Sequence, residues 1–206
     1  MKNALLLMLT LSVYQVHAVT IIDAVLGSIT DQKVDIIVNA ANPQLVMGGG
    51  VCGAIYNAAG AAQLQKACNQ YPLKKGIRCP VGDARITDSF KLTKIGIIKI
   101  VHAVGPDARV IKDPTQQRIL LESAYTNSLK LASDGNFETI AFPFISSGIY
   151  HVDHQLAAEA AVTAARNFVA QNETSLTEIR FVLLDQKDYS LFEKLLTAGQ
   201  TVDELA

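Results

Sequence analysis

Residues 34–55 read VDIIVNAANPQLVMGGGVCGAI. The first six, VDIIVN, are apolar and β-branched almost without a break, the pattern of a strand buried on both faces of an α/β sheet. Asn39-Ala40-Ala41-Asn42-Pro43 then closes the strand, and Gly48-Gly49-Gly50 precedes a run of small residues that reads as a helix. Three adjacent glycines remove every Cβ from the loop. Backbone amides can then approach a phosphate closely, and the next helix points its N-terminus at the same place. Gly48 to Gly53 also fits G-x-G-x-x-G, but a dinucleotide fold wants those glycines after the first strand and an acid about 20 residues on. Here the first strand runs into Gly27-Ser28-Ile29-Thr30, and no acid stands near Cys68.

The same alternation extends in both directions. Strands are expected over residues 19–25, 84–87, 97–103, 139–142 and 179–184. Helices are expected over residues 50–60, 61–70, 154–172 and 187–197. A further helix starts at Asp113, which can cap it, with Pro114 in its first turn and Gln116 at the capping-box position. Leu121, Ala124, Tyr125, Leu129 and Ala132 share one face of that helix. Ala158, Ala161, Val162, Ala165, Phe168 and Val169 share one side of the helix over 154–172. Strands alternating with helices predict an α/β sandwich around a largely parallel sheet. Ligands of such sheets sit beyond the carboxyl ends of the strands, which selects the segments after Asn39, Ala103, Phe142 and Leu184. One of these, Ile145-Ser146-Ser147-Gly148-Ile149-Tyr150, is a second loop of small residues. Two such loops facing one another make a clamp for a diphosphate without a single Lys or Arg, because each amide is fixed before the ligand arrives.

Bulk properties agree. The chain has 206 residues, about one domain. It is 50% hydrophobic and 18% charged, far from a disordered composition. The net charge is −1 without a Lys/Arg run, so no nucleic-acid partner is expected. At the start, the positive head Met1-Lys2-Asn3, an apolar run broken only by Thr10 and Ser12, and Val16-His17-Ala18 follow the plan of a secretory signal peptide. The expectation is a signal over residues 1–18, a mature domain over 19–206, export to a periplasm or the medium, and no membrane association after cleavage. A buried first strand or an uncleaved anchor is the alternative. Export would permit a disulfide, and Cys68 and Cys79 are the candidate pair beside Cys52, though either could equally be a small buried hydrophobe. No zinc-type spacing occurs, and no metal is expected.

The strings VDIIVNAANPQLVMGGGVCGAI, CPVGDARIT, IVHAVGP, AFPFISSGIY and VLLDQKDYSLFEKLL, in this order, resemble the macro domain family from about Thr20 to about Thr197. The resemblance implies a three-layer α/β/α sandwich with a mixed, largely parallel central sheet, binding ADP-ribose and needing no cofactor. Its hydrolase branch removes ADP-ribose from acidic side chains of modified proteins and deacetylates O-acetyl-ADP-ribose. ADP-ribose and mono-ADP-ribosylated proteins are the implied partners, with a monomer as the working unit. By that resemblance Asn42 orients the distal ribose. The amides around Gly49, Gly50 and Val51, and the loop of Ser146, Ser147, Gly148, Ile149 and Tyr150, hold the phosphates. Tyr150 also shields the distal ribose, Ile29 lies near the adenine, and Leu184 and Asp185 border the adenosine end.

Three departures from the family pattern stand out. Ser28 replaces the usual Asp that accepts a bond from the adenine amino group, and a neutral acceptor is the weaker one. Cys52 and Tyr56 stand where bacterial hydrolases carry Asp and His. Leu184 stands where an aromatic often stacks on adenosine. The Val-Cys pair resembles the alphavirus branch, where the ligand's own phosphate is thought to position the attacking water. The implied catalytic set is then Asn42, Tyr150 and Cys52, acting chiefly by positioning. Other readings are weaker. No His is placed to serve Cys52 as a nucleophile, and His102 reads as a core residue. Ser146-Ser147-Gly148 lacks the preceding glycine of a nucleophile elbow. His151, Asp153 and His154 fall in a turn entering a helix, where Asp is an ordinary cap and the others read as solvent-facing. Asp35, Asp83 and Asp88 read as surface or turn carboxylates. A mono-ADP-ribosyl hydrolase and a non-catalytic ADP-ribose reader are the two functions that remain.

Overall fold

The computed structural model of the chain describes residues 19–198. The expected signal segment over residues 1–18 lies outside them. Six strands, β1 (Ile21–Leu26), β2 (Ile36–Ala40), β3 (Ala84–Asp88), β4 (Lys99–Ala103), β5 (Thr139–Pro143) and β6 (Glu178–Leu183), form one sheet in the order β1-β6-β5-β2-β4-β3. Only β3 runs antiparallel, against β4. Helices α1 (Gly50–Ala59) and α2 (Ala61–Cys68) cover one face. Helices α3 (Pro114–Asp134), α4 (His154–Gln171) and α5 (Gln186–Thr197) cover the other. This is the three-layer α/β/α sandwich with a mixed, mostly parallel sheet.

The alternation of β2 explains the layering. Ile36 and Val38 pack toward α3 and α4, while Ile37 packs toward α1. The stripe Leu121, Ala124, Tyr125, Leu129 and Ala132 of α3 is fully buried. Asp113 caps α3 by accepting from the Thr115 amide (3.0 Å). The first strand starts two residues later than expected, because its first ladder bond is from the Ile21 amide to Thr177 (2.9 Å) and Val19 lies in solvent. The strand over 97–103 begins at Lys99 instead, since Asp35 takes the amides of both Ile98 and Lys99 on its carbonyl. Asp35 is more than a surface carboxylate: its Oδ2 also accepts from Glu138 (2.9 Å) and Thr139 (3.0 Å), joining the starts of β2 and β5.

Those two strands then part. β2 pairs with β4 through all five residues, but with β5 only at Ile36↔Ile140 and Ile37↔Ala141. Chain direction across the sheet reverses at this seam, so the loops leaving β2 and β5 diverge and leave a crevice between them.

All three cysteines are free and buried. Of the two readings of Cys68 and Cys79, the buried small hydrophobe is the one found, and burial pushes the Cys79 thiol up to about 12 and raises that of Cys68.

Candidate functional site

The crevice opens into a cleft of about 630 Å³ across the carboxyl ends of the strands. That is the size range of small-molecule sites. Its floor and walls are the loops after β1, β6, β5, β2 and β4, in that spatial order. Ser28, Ile29, Leu184 and Asp185 line the β1–β6 end, Ser146 to Tyr150 the middle, and Asn42, Gly49, Gly50, Val51 and Cys52 the β2 end. Every site residue singled out from the sequence is therefore brought to one cavity. Gly105, Phe144 and Asp188 also line it and were not singled out, and so does His154, which was read as solvent-facing. The strand-end rule was the signal for the first three, since Gly105 follows β4, Phe144 follows β5 and Asp188 follows β6.

The glycine-rich loop is held by short-range bonds. Asn42 closes a ring onto Val46: its Nδ2 donates to the Val46 carbonyl (2.7 Å) and its Oδ1 accepts from the Val46 amide (3.1 Å). Gly48 donates to Cys52 Sγ (3.4 Å). A Cβ on Gly53 would lie 2.8 Å from the Gly48 carbonyl, so α1 packs directly on the loop backbone. Across the cleft, Ile149 reaches the glycines, its Cδ1 3.3 Å from where a Gly49 Cβ would stand. The amides of Gly49, Gly50 and Val51 and those of Ser147 to Tyr150 have no hydrogen-bond partner among the described residues. The positive end of α1 adds to them. Two banks of unused amides, with no Lys or Arg of the described residues in the lining, suit a diphosphate held by backbone.

Behind the loop lies a buried polar chain. Asn39 and His102 are fully buried, and Asn39 Nδ2 lies 3.1 Å from His102 Nδ1 and 3.6 Å from Cys52 Sγ. His102 Nε2 therefore carries the proton and donates to Thr87 Oγ1 (3.0 Å). Desolvation holds the imidazole neutral, with its pKa lowered to about 4. Tyr56 is also fully buried, with its hydroxyl 3.0 Å from the Leu45 carbonyl and 3.3 Å from Cys68 Sγ. It does not line the cleft, so any influence on ligand runs through the loop it supports. His102 was expected in the core and is there.

This imidazole makes stability depend on pH. The unfolded chain protonates it below about 6.5, whereas the folded protein resists until about 4. The unfolded state binds more protons throughout that window, so stability is full above it and falls as pH drops, by up to about 1.4 kcal/mol per unit and about 3 kcal/mol in all. Denaturant melts between pH 7 and 4 are expected to show this loss, and His102→Gln to flatten it.

At the β6 end, Ser28 Oγ caps a 3-10 turn by accepting from the Thr30 amide (3.3 Å) and lies 2.8 Å from Thr30 Oγ1. Ile29 lines the cleft but is itself 4% exposed, whereas Leu184 is 81% exposed. Asp185 caps α5 through the Asp188 amide (2.9 Å), and that bond holds its carboxyl below the usual range. His154 is not simply solvent-facing: its Nδ1 lies 2.6 Å from Asp188 Oδ1, and its ring meets Phe144 edge-on. Asp153 does cap α4, accepting from the Leu156 amide (3.0 Å). At the other end, burial raises the Tyr150 phenol above its ordinary value, and the Arg109 guanidinium lies 5.8 Å from the ring centre.

An α/β/α sandwich with an amide-lined anion cleft at a strand-order reversal defines a class of domain that binds phosphate-linked nucleotides. The macro domain family model matches residues 38–161, and this chain belongs to the macro domain family. A macro domain-containing protein of Listeria monocytogenes is 44% identical over 179 residues, which is 86% of this chain and 97% of the relative. The O-acetyl-ADP-ribose deacetylase of Escherichia coli K12 is 42% identical over 178 residues, 86% of this chain and 96% of its own. Among solved structures, an Oceanobacillus iheyensis macrodomain with ADP aligns with a TM-score of 0.76 at 34% identity, covering 86% of this chain and 90% of that one. A Trypanosoma brucei macrodomain in complex with ADP-ribose aligns with a TM-score of 0.72 at 29% identity, over 85% and 68%.

The comparisons correct one expectation. Relatives matched over 96–97% of their own length give no support to a signal peptide or to secretion. A positive head before a short apolar run is a pattern of composition, which hydrophobic segments of other kinds share.

Proposed function

We propose that this macro domain binds ADP-ribose and hydrolyses the ester that links it to acidic side chains of proteins, with O-acetyl-ADP-ribose as a related substrate. The observation that carries the reading is the pair of unused amide banks facing across the cleft, with Asn42 at one end. The diphosphate lies between the banks, adenosine extends toward Ser28 and Leu184, and the distal ribose reaches Asn42 and Tyr150. Water attacks the anomeric carbon, the bond from that carbon to the ester oxygen breaks, and the carboxylate leaves with its electron pair. The water's second proton goes to solvent. Alignment supplies most of the rate, since among the described residues no carboxylate or imidazole lines the β2 end of the cleft. Kinship with proteins named O-acetyl-ADP-ribose deacetylase supports hydrolytic chemistry. The Val-Cys loop supports catalysis without the Asp of bacterial hydrolases.

Cys52 acts here as an acceptor. Its Sγ faces the Gly48 amide and Asn39 Nδ2, and the residue is 4% exposed. Cys52→Ser keeps an acceptor and is expected to retain at least about a third of the turnover, because one weak neutral bond replaces another. A loss beyond 100-fold would restore the thiol as a nucleophile.

The lack of a general base at the β2 end favours a second reading, a non-catalytic reader. Release of ADP-ribose from a protein modified on Asp or Glu, measured beside calorimetry of ADP-ribose on one preparation, separates the two. Binding with multiple turnover is the expected result. Binding without turnover makes the protein a reader.

A further inference from the structure

Residues 36–82 contain four cations, Lys66, Lys74, Lys75 and Arg78, and not one Asp or Glu, in a chain whose net charge is −1. The fold places this acid-free stretch around the β2 end of the cleft. The segment after α2 forms a tight hairpin. Lys74 and Ile77 exchange both backbone bonds (2.9 and 3.0 Å), and Lys75 (φ 50) with Gly76 (φ 80) makes a left-handed two-residue turn. That turn type matches the twist of its flanking chains, so the cationic tip is fixed rather than trailing.

The hairpin is bolted to the Asn42 loop. The amides of Arg78 and Cys79 both donate to the Pro43 carbonyl (2.9 and 3.0 Å), and Arg78 Nη1 donates to that of Gln44 (3.0 Å). From α2, Gln65 donates to the Leu45 carbonyl (3.0 Å) and accepts from the Met47 amide (3.1 Å). Among the described residues none of the four cations is in an ion pair. Apolar side chains stand between them in solvent, Leu73 at 55% and Ile77 at 41% exposure, with Met47 at 43% on the adjoining loop.

We propose that this hairpin and the outer edge of the Asn42 loop dock an acidic polypeptide segment, so that the substrate class is ADP-ribose esterified to an Asp or Glu with acidic neighbours. The inference rests on the orientation proposed above, in which the protein-linked end of the ligand leaves the cleft beside Asn42. The exposed Lys74 and Lys75 of a hairpin held against Pro43 and Gln44, beside Asn42, attract carboxylates, and Leu73, Ile77 and Met47 give a peptide apolar contact. A nucleic acid is the poorer fit. The aromatic in the segment, Tyr71, has its hydroxyl tied to Ile86 (2.6 Å to the carbonyl), and no row of stacking rings accompanies the charges.

The test compares two peptides mono-ADP-ribosylated on one Glu, flanked either by Glu and Asp or by Ser and Gln. The wild-type protein is expected to prefer the acidic one by at least 10-fold, in kcat/KM or, without turnover, in Kd, with the preference shrinking as salt rises. The double variant Lys74→Gln, Lys75→Asn keeps the turn, since Asn tolerates its left-handed position. It is expected to cut the preference to within 3-fold and leave the Kd for free ADP-ribose unchanged. Equal handling of the two peptides by the wild type, or a preference intact in the variant, overturns the proposal. The unmodified acidic peptide, followed by NMR shifts of residues 71–79, tests the surface even if free ADP-ribose does not bind, an outcome that instead sinks the reading of the cleft. Shifts caused by a single-stranded RNA and not by the peptide overturn the assignment in favour of nucleic acid.

Discussion

Replacing Asn42 by alanine is expected to lower turnover of an ADP-ribosyl ester by about 10²–10³-fold while weakening ADP-ribose binding by no more than about 10-fold. Asn42 spends one Nδ2 hydrogen and one Oδ1 lone pair on Val46. The other hydrogen remains for a ribose hydroxyl. Loss of that bond misplaces the anomeric carbon against its water, and misalignment acts on the barrier far more than on ground-state binding. Loss of the ring onto Val46 loosens the loop, at about 1 kcal/mol per bond, and this part appears in the Kd. Asn42→Asp keeps only half of the ring, since its Oδ1 can still accept from the Val46 amide while the donors to the Val46 carbonyl and to the ribose are both lost. Single-turnover rates and calorimetry on both variants decide the matter. Equal falls in rate and affinity would remove Asn42 from the chemistry.

Adding one methyl group at Gly105 is expected to cost at least 100-fold in ADP-ribose affinity. A Cβ there would stand 2.2 Å from Ser146 Oγ and 2.6 Å from Ile145 Cγ2. Rotating the serine relieves only the first clash. The loop from Ile145 to Tyr150 must therefore shift, and it carries four of the unused amides. Ser146 already holds a left-handed conformation (φ 64) with its hydroxyl buried and unpartnered, so the loop has little room to yield. Overpacking of this kind costs about 1–3 kcal/mol, and a fall of a few degrees in Tm accompanies it. Calorimetry with ADP-ribose beside a thermal melt checks both. Affinity within 3-fold of wild type would show that this loop does not depend on its contact with β4.

Much of this was legible locally. A strand buried on both faces writes itself as an unbroken apolar run, as in β2, and a helix on a sheet writes a 3.6-residue stripe, as in α3 and α4. Loops rich in glycine and serine at strand ends announce a backbone anion site, because the needed property is the absence of side chains. The signal-peptide reading rested on the same kind of evidence and finds no support among the relatives, since composition over 18 residues does not distinguish one hydrophobic segment from another.

The sequence by itself determined the layers, the two amide loops and the Asn42 end of the cleft, all of which rest on residues near one another in the chain. Only the tertiary structure decided where β2 and β5 part, because that depends on strand order and register. It also decided that Asn39, Cys52, Tyr56, Cys68, Thr87 and His102, drawn from five elements, meet in one buried chain behind the loop. The pairing of His154 with Asp188 and the placing of an acid-free hairpin against Pro43 belong to the same class. Local periodicity records which face of an element is buried. Which distant residues share that burial is set by how the whole chain packs.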